Sequence, residues 1–184
     1  MHAAVARGKR VLLRLPSAHD CDEFVALMRA SRRLHHPWAA PATTTDAFAD
    51  YLNRIRRKET YGLLACERSN GAIVGVFNFN QIVRGHYHST YLGYFGGAPF
   101  ARQGYMTEGL ALVLRYAFTK LKLHRLEANI QPGNRASLAL ARRCGLRCEG
   151  FSPRYLKVNG RWRDHERWAI TVEDWRRLRA EERR

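Results

Sequence analysis

Apolar residues recur along this chain in two rhythms, and their alternation predicts the architecture. Lys9 to Leu15 alternates as a strand does, whereas Cys21, Phe24, Val25 and Met28 fall at helical spacing behind a Ser17–Asp20 capping pair. After a loop from Pro37 to Pro41, the residues Phe48, Tyr51, Leu52 and Ile55 mark a second amphipathic helix. Two strand-like runs follow, Gly62 to Glu67 and Ala72 to Val83, and Asn70-Gly71 between them signals a hairpin. Tyr87 to Phe95 predicts another strand. Met106, Leu110, Val113, Leu114 and Ala117 predict a long helix with one buried face, and Lys120, Lys122 and His124 suit the negative end of its dipole. A short strand over Arg125 to Ile130 precedes a helix capped by Asn134 and stopped at Gly145. Arg147 to Val158 and Arg161 to Thr171 form a last hairpin about Asn159-Gly160, and Val172 to Arg184 reads as a charged helix or frayed end.

Two places break the pattern in a useful way. Within Ala72 to Val83 one face carries Val74 and Val76, then Asn78 and Asn80. A face that turns polar halfway either enters a cleft or forms an exposed strand end. The second place is the junction from Phe95 through Gly96-Gly97 to Arg102-Gln103-Gly104-Tyr105-Met106. It reads as a strand end, a Gly-rich basic turn and the first turn of a helix. Free backbone N–H groups and the positive end of a helix dipole converge there, which makes a cradle suited to a diphosphate.

Composition narrows the class. At 184 residues, 46% of them apolar, the chain is expected to be a single domain with its core over about residues 10–171 and a charged tail over 172–184. Its apolar runs are too short to cross a bilayer, and Met1 to Arg10 has no apolar core of a signal peptide, so a cytoplasmic protein is expected. Cys144 and Cys148 have a C-x-x-x-C spacing but no partner pair, so the four cysteines read as structural thiols and no metal is expected. The net charge is +16, clustered at Arg54 to Lys58, Arg161 to Arg167 and Arg176 to Arg184. Such a field attracts a phosphorylated cofactor or RNA and repels a small polycationic substrate.

The ordered motifs from Arg10 to Ile170 resemble those of GCN5-related N-acetyltransferases (GNAT). Within that superfamily they resemble the ribosomal-protein alanine acetyltransferases of the RimJ/RimL type. The residues that carry the resemblance are Val83-Arg84-Gly85, Tyr91-Leu92-Gly93-Tyr94, Gly104 with Met106-Thr107-Glu108, Asn134-x-x-Ser137, Gly145-Leu146-x-x-Glu149-Gly150 and Asn159-Gly160-x-Trp162-Arg163-Asp164-His165. Ala101 and Met106 depart from the superfamily's general cradle pattern, though Met106-Thr107-Glu108 resembles the RimJ branch.

The resemblance implies an α/β fold with a mixed, splayed sheet of about seven strands flanked by helices. It implies acetyl transfer from acetyl-CoA to a primary amine, by direct attack with both substrates bound. For the cofactor it implies the amides of Arg102, Gln103, Gly104, Tyr105 and Met106 and the Arg102 guanidinium at the diphosphate. Tyr94, Phe95 and Asn134 would lie along the pantetheine arm, with an amide near Tyr94 polarising the thioester carbonyl. Ser137 becomes the candidate donor of a proton to the leaving thiolate, although tyrosines serve elsewhere in the superfamily. Candidates for the base are Glu108, Glu149, Asp164 and His165, with Glu108 also suited to stabilising its helix N-terminus and Asp164 to holding an ammonium or pairing with arginine. Asn78, Asn80, Tyr91, Trp162 and Asp164 would flank the acceptor. The acceptor implied is a protein N-terminal α-amine, on a ribosomal protein. A small-molecule amine and a non-catalytic acyl-CoA-binding or RNA-associated module stay open, as do a monomer and a homodimer.

Overall fold

Eight strands form one mixed sheet in the order β1-β2-β3-β4-β5-β6-β8-β7, in a computed structural model that describes residues 3–181. The strands are β1 (Ala6–Arg7), β2 (Val11–Arg14), β3 (Thr60–Glu67), β4 (Ile73–Val83), β5 (Ser89–Gly96), β6 (Arg125–Ile130), β7 (Arg147–Val158) and β8 (Arg161–Thr171). The helices are α1 (Cys21–Ala30), α2 (Arg32–His35), α3 (Thr45–Arg56), α4 (Tyr105–Thr119), α5 (Arg135–Arg143) and α6 (Val172–Glu181). The splayed α/β architecture expected from the motifs is present. Its eighth strand is β1, a two-residue strand too short to leave a periodic signal. The last three residues of the expected charged tail lie outside the described residues.

Two apolar layers sandwich the sheet. On one face α4 buries Leu110, Val113, Leu114 and Ala117 against Phe77, Phe79 and Leu126. On the other, α1 and α3 bury Phe24, Met28, Phe48 and Tyr51 against Leu64, Cys66 and Val76. Each large side chain so removed from water contributes about 1.5–3 kcal/mol.

The polar half of β4 is taken up mainly by hydroxyl partners. Asn78 is buried beneath α3 and its Oδ1 accepts a hydrogen bond from Tyr51 Oη at 2.8 Å. Asn80 Oδ1 accepts from Thr60 Oγ1 at 3.0 Å. Both asparagines thus satisfy hydroxyls that the chain buries, and polarity on this face tracks its partners.

All neighbouring strands run antiparallel except β5 and β6, which run parallel and pair over only three rows, Ser89–Arg125 to Tyr91–Glu127. Beyond them β5 continues against β4 alone, and β6 continues against β8 alone. A V-shaped gap therefore opens in the middle of the sheet. Gly97 N donates to Val74 O at 2.8 Å, toward β4. By the alternation of a strand, the peptide groups of Tyr94 and Gly96 turn the other way, into the gap.

Candidate active site

The gap leads straight into the Gly-rich turn. A short 3₁₀ turn, Ala98–Phe100, follows β5, and the chain then passes through Arg102 (φ 61°) and Gly104 (φ 83°) before α4 begins. Gly104 is the N-cap of α4 and holds the left-handed conformation that a side chain disfavours. No side chain caps this helix end. The first intrahelical bond runs from Glu108 N to Gly104 O, so the amides of Tyr105, Met106 and Thr107 precede it without intrahelical partners. Of the amides expected to form a cradle, Arg102 to Met106, those of Tyr105 and Met106 are in this free set, which Thr107 extends.

Its rigidity comes from side chains turned inward. Met106 Sδ stands 2.4 Å from where a Cβ on Gly75 would lie, and its Cγ 3.0 Å from one on Gly96. The two glycines thus form a notch that lets the start of α4 settle onto β4 and β5. Tyr105 is buried, bonds Glu67 through its hydroxyl and lies beneath the Arg10 guanidinium at 4.6 Å. Arg10 Nη2 also donates to Gln103 O at 2.8 Å, while Gln103 Nε2 donates to Pro99 O at 2.7 Å. At the front of the turn, Ser31 Oγ accepts from Ala98 N at 2.8 Å. Arg102 remains exposed, with its guanidinium available to an anion at the cradle.

Across the gap, Asn134 Oδ1 accepts from Ser137 N at 3.2 Å and caps α5, as its sequence position predicts. Ser137 Oγ donates to Tyr94 Oη at 2.9 Å, and Tyr94 Oη donates back to the Ser137 carbonyl at 3.3 Å. Burial pushes the Tyr94 phenol up to about 12, although the bond to Ser137 opposes the shift. A neutral hydroxyl relay therefore stands beside the wall of the gap at neutral pH. The sequence reading singled out both residues, but not their contact across 43 positions.

Comparison with known proteins agrees with this geometry. Residues 10–147 match the acetyltransferase (GNAT) domain, which is most of the chain. This chain belongs to the GNAT acetyltransferase family. It is 30% identical over 176 residues to YjcK of Bacillus subtilis, named a probable N-acetyltransferase, covering 91% of this chain and 97% of that one. It is 42% identical over 103 residues to the [ribosomal protein uS5]-alanine N-acetyltransferase of Escherichia coli, a match spanning about half of each chain (56% and 53%). Among solved structures it superposes on Mycobacterium smegmatis RimJ in complex with CoA-disulfide with a TM-score of 0.81. That match is 28% identical and covers 94% of this chain and 90% of that one.

The remaining candidate residues of this acetyltransferase divide sharply. Glu108 Oε1 accepts from the backbone of Arg10 at 2.7 Å and of Val11 at 3.0 Å. Its carboxylate braces α4 against β2, three strands from the gap, so the structure does not bring it to the reacting atoms. Asp164 Oδ1 accepts from Arg154 N at 2.8 Å, where β7 bulges and Arg154 adopts φ 49°. Asp164 and the exposed Trp162 share the face of Trp168, which packs into the α4-side core. Asn78, Asn80 and Tyr91 lie on the opposite face, so the five expected acceptor residues do not converge. The Tyr155 hydroxyl nearby raises the Tyr91 phenol above its ordinary value. Glu149 is exposed and held by Arg125 and Arg147, and the bond to Arg125 keeps its carboxyl below the usual range. His165 is buried, with Nδ1 2.9 Å from Arg163 O, and burial lowers its pKa.

Sequence reasoning missed the segment that crosses the gap. His35 Nε2 lies 2.9 Å from Gly96 O, the carbonyl that turns into the gap. Three residues on, the Trp38 carbonyl accepts from Gln131 Nε2 at 3.2 Å, and its ring stands 2.7 Å from a Cβ built on Gly133. Pro37 O accepts from Asn159 Nδ2 at 3.2 Å. Residues 35–38 thus strap the end of β5 to the exit of β6 and to the tip of the last hairpin. The only sequence signal was a Pro-bounded loop.

Proposed function

We propose that this acetyltransferase transfers the acetyl group of acetyl-CoA to the N-terminal α-amine of a protein, preferentially a ribosomal one, acting in the cytoplasm as one catalytic domain. The observation that carries this reading is the 42% identity over 103 residues to the uS5-alanine N-acetyltransferase. In this reading the amides from Arg102 to Met106 and the Arg102 guanidinium hold the diphosphate. The pantetheine arm enters the gap as an added strand on the Tyr94 carbonyl and the Gly96 N–H, alongside Phe95 and Asn134. The Tyr94 N–H meets the thioester carbonyl where negative charge develops. The amine attacks directly, and Ser137, backed by Tyr94, returns a proton to the departing thiolate.

Two of the four thiols are unsuited to carrying a covalent acetyl intermediate. Burial pushes Cys144 up to about 12 and Cys66 up to about 11, so both stay protonated and poorly nucleophilic at neutral pH. A free α-amine titrates near 7.7–8.0, so an appreciable fraction is already neutral and no strong base is required. The charge of +16 favours approach to RNA-rich particles and disfavours polyamines.

The test is thiol release from acetyl-CoA with three acceptors: a peptide starting with a free alanine, the same peptide blocked at its N-terminus but carrying lysine, and spermidine. Release with the first alone is expected. Turnover of spermidine with none of the free peptide would sink this reading.

A further inference from the structure

On β6, Leu126, Ala128 and Ile130 point into the α4-side core, so Arg125, Glu127 and Asn129 face the other way. Arg125 pairs with Glu127 and Glu149. Asn129 differs, because its Oδ1 is buried and accepts no hydrogen bond. An orphan acceptor of this kind costs about as much as a lost hydrogen bond, and native interiors keep few of them.

Its place gives it a partner. The β5–β6 ladder ends at Tyr91–Glu127, so two residues further the register sets Asn129 across the widening gap from Gly93. Gly93 has no side chain, and a Cβ built there meets only Asn80 Nδ2, at 3.4 Å. The space over Gly93 on that face is therefore open, while the Asn129 oxygen across from it is buried. The next residue, Tyr94, turns its N–H into the same gap, while its ring and Ser137 stand on the α4 side. The leaving-group relay and the orphan oxygen thus flank the gap from opposite faces.

We propose that Asn129 receives the attacking amine: its Oδ1 accepts one N–H of the nitrogen and turns the lone pair toward the thioester carbon beside Tyr94. This rests on the acetyl-CoA reading above, but not on which amine is the acceptor. As the C–N bond forms and the C–S bond breaks, the nitrogen sheds one proton to solvent and the thiolate takes one from the Ser137 hydroxyl, which solvent restores. Asn129 holds no proton through this sequence. A neutral amide suits the task better than a carboxylate, which would stabilise the ammonium form that has no lone pair. Asn129 as a whole is only part-buried, so a side-chain rotation brings its oxygen to an incoming nitrogen.

The probe is CoA carrying an S-CH₂-CO-NH-CH₃ group, which sets an amide N–H where the acceptor nitrogen would stand. Calorimetry should show that Asn129→Ala weakens this conjugate about five- to tenfold and leaves CoA itself unchanged, the size of one lost hydrogen bond. Asn129→Asp should keep the conjugate within about threefold of wild type and, in turnover, move the rising limb of kcat/KM to higher pH. Gly93→Ala, which leaves residue 129 intact, should reproduce the selective loss by filling the space opposite. Equal losses for CoA and conjugate, or no loss in either Asn129→Ala or Gly93→Ala, would overturn the assignment. A conjugate built on an alanine-initiated peptide separates the two readings. If it binds no tighter than the methylamide, the protein-acceptor reading fails and the Asn129 result stands. If wild type binds no CoA, both fail.

Discussion

The two faces of the central gap are built on opposite principles. On the α4 side the side chains that shape the cradle are engaged: Arg10, Gln103 and Glu108 brace the turn, Met106 fills its glycine notch, and Tyr94 and Ser137 satisfy each other. On the opposite side lie all three buried side-chain atoms without a hydrogen-bond partner among the described residues, His35 Nδ1, Asn129 Oδ1 and Arg163 Nε. Rigid backbone amides suit a ligand whose diphosphate and pantetheine never vary. Unfilled polar atoms on this face suit a variable partner that supplies the missing bonds on arrival. Preorganisation and selectivity are thus separated across one sheet.

The sharpest way to break this contrast is at the relay. Tyr94→Phe removes the hydroxyl that holds Ser137, and kcat should fall roughly a hundredfold if that pair delivers the proton. The acetyl-CoA KM should stay within about threefold, since the cradle is untouched. Ser137→Ala should match it, and the double variant should be little worse than either, because the two act as one unit. Additive losses would mean that the residues work separately. A next test exchanges binding for chemistry. Gly104→Val forces a branched side chain into a left-handed backbone, with its Cβ 3.0 Å from Arg10 Nη2. About 2 kcal/mol of strain should weaken acetyl-CoA roughly thirtyfold, while the acceptor KM measured at saturating acetyl-CoA holds steady. Tight acetyl-CoA binding by this variant would remove the cradle from the mechanism.

The same contrast explains what could be read in advance. The cradle, the Asn134 cap and the Asn159-Gly160 turn each lie within a few residues, where backbone chemistry restricts which amino acids fit. The opposite face depends on distant pairings. Asn78 looked like a cleft residue because its partner, Tyr51, lies 27 positions away on a helix. Glu108 looked available because the amides that engage it, at the start of β2 and just before it, lie 97 and 98 positions away. The strap left no periodic signal, since its contacts run mainly through backbone carbonyls. Asn129 sat inside an ordinary alternating strand, and only the loss of its neighbour strand makes its oxygen an orphan.

The smallest expected effect concerns His35. Its Nε2 carries the hydrogen donated to Gly96 O, leaving Nδ1 as a buried lone pair without a partner. Burial lowers the pKa of this imidazole against the pull of the Gly96 carbonyl. The folded state therefore binds its proton more weakly than the unfolded chain does. This contribution to stability is fully present above the ordinary histidine value near 6.5 and is lost as pH falls through the lower folded value. His165 shifts in the same direction, again mainly through burial. The Tm should accordingly be level from pH 7 to 8 and decline by a few degrees between pH 6.5 and 5.5, above the range in which Asp20 and the other paired carboxylates titrate. His35→Gln keeps a donor for Gly96 but cannot titrate, so it should flatten part of that decline, and adding His165→Gln should flatten more. A pH slope unchanged in the single variant would show that the strap's hold on the gap is independent of the charge on His35.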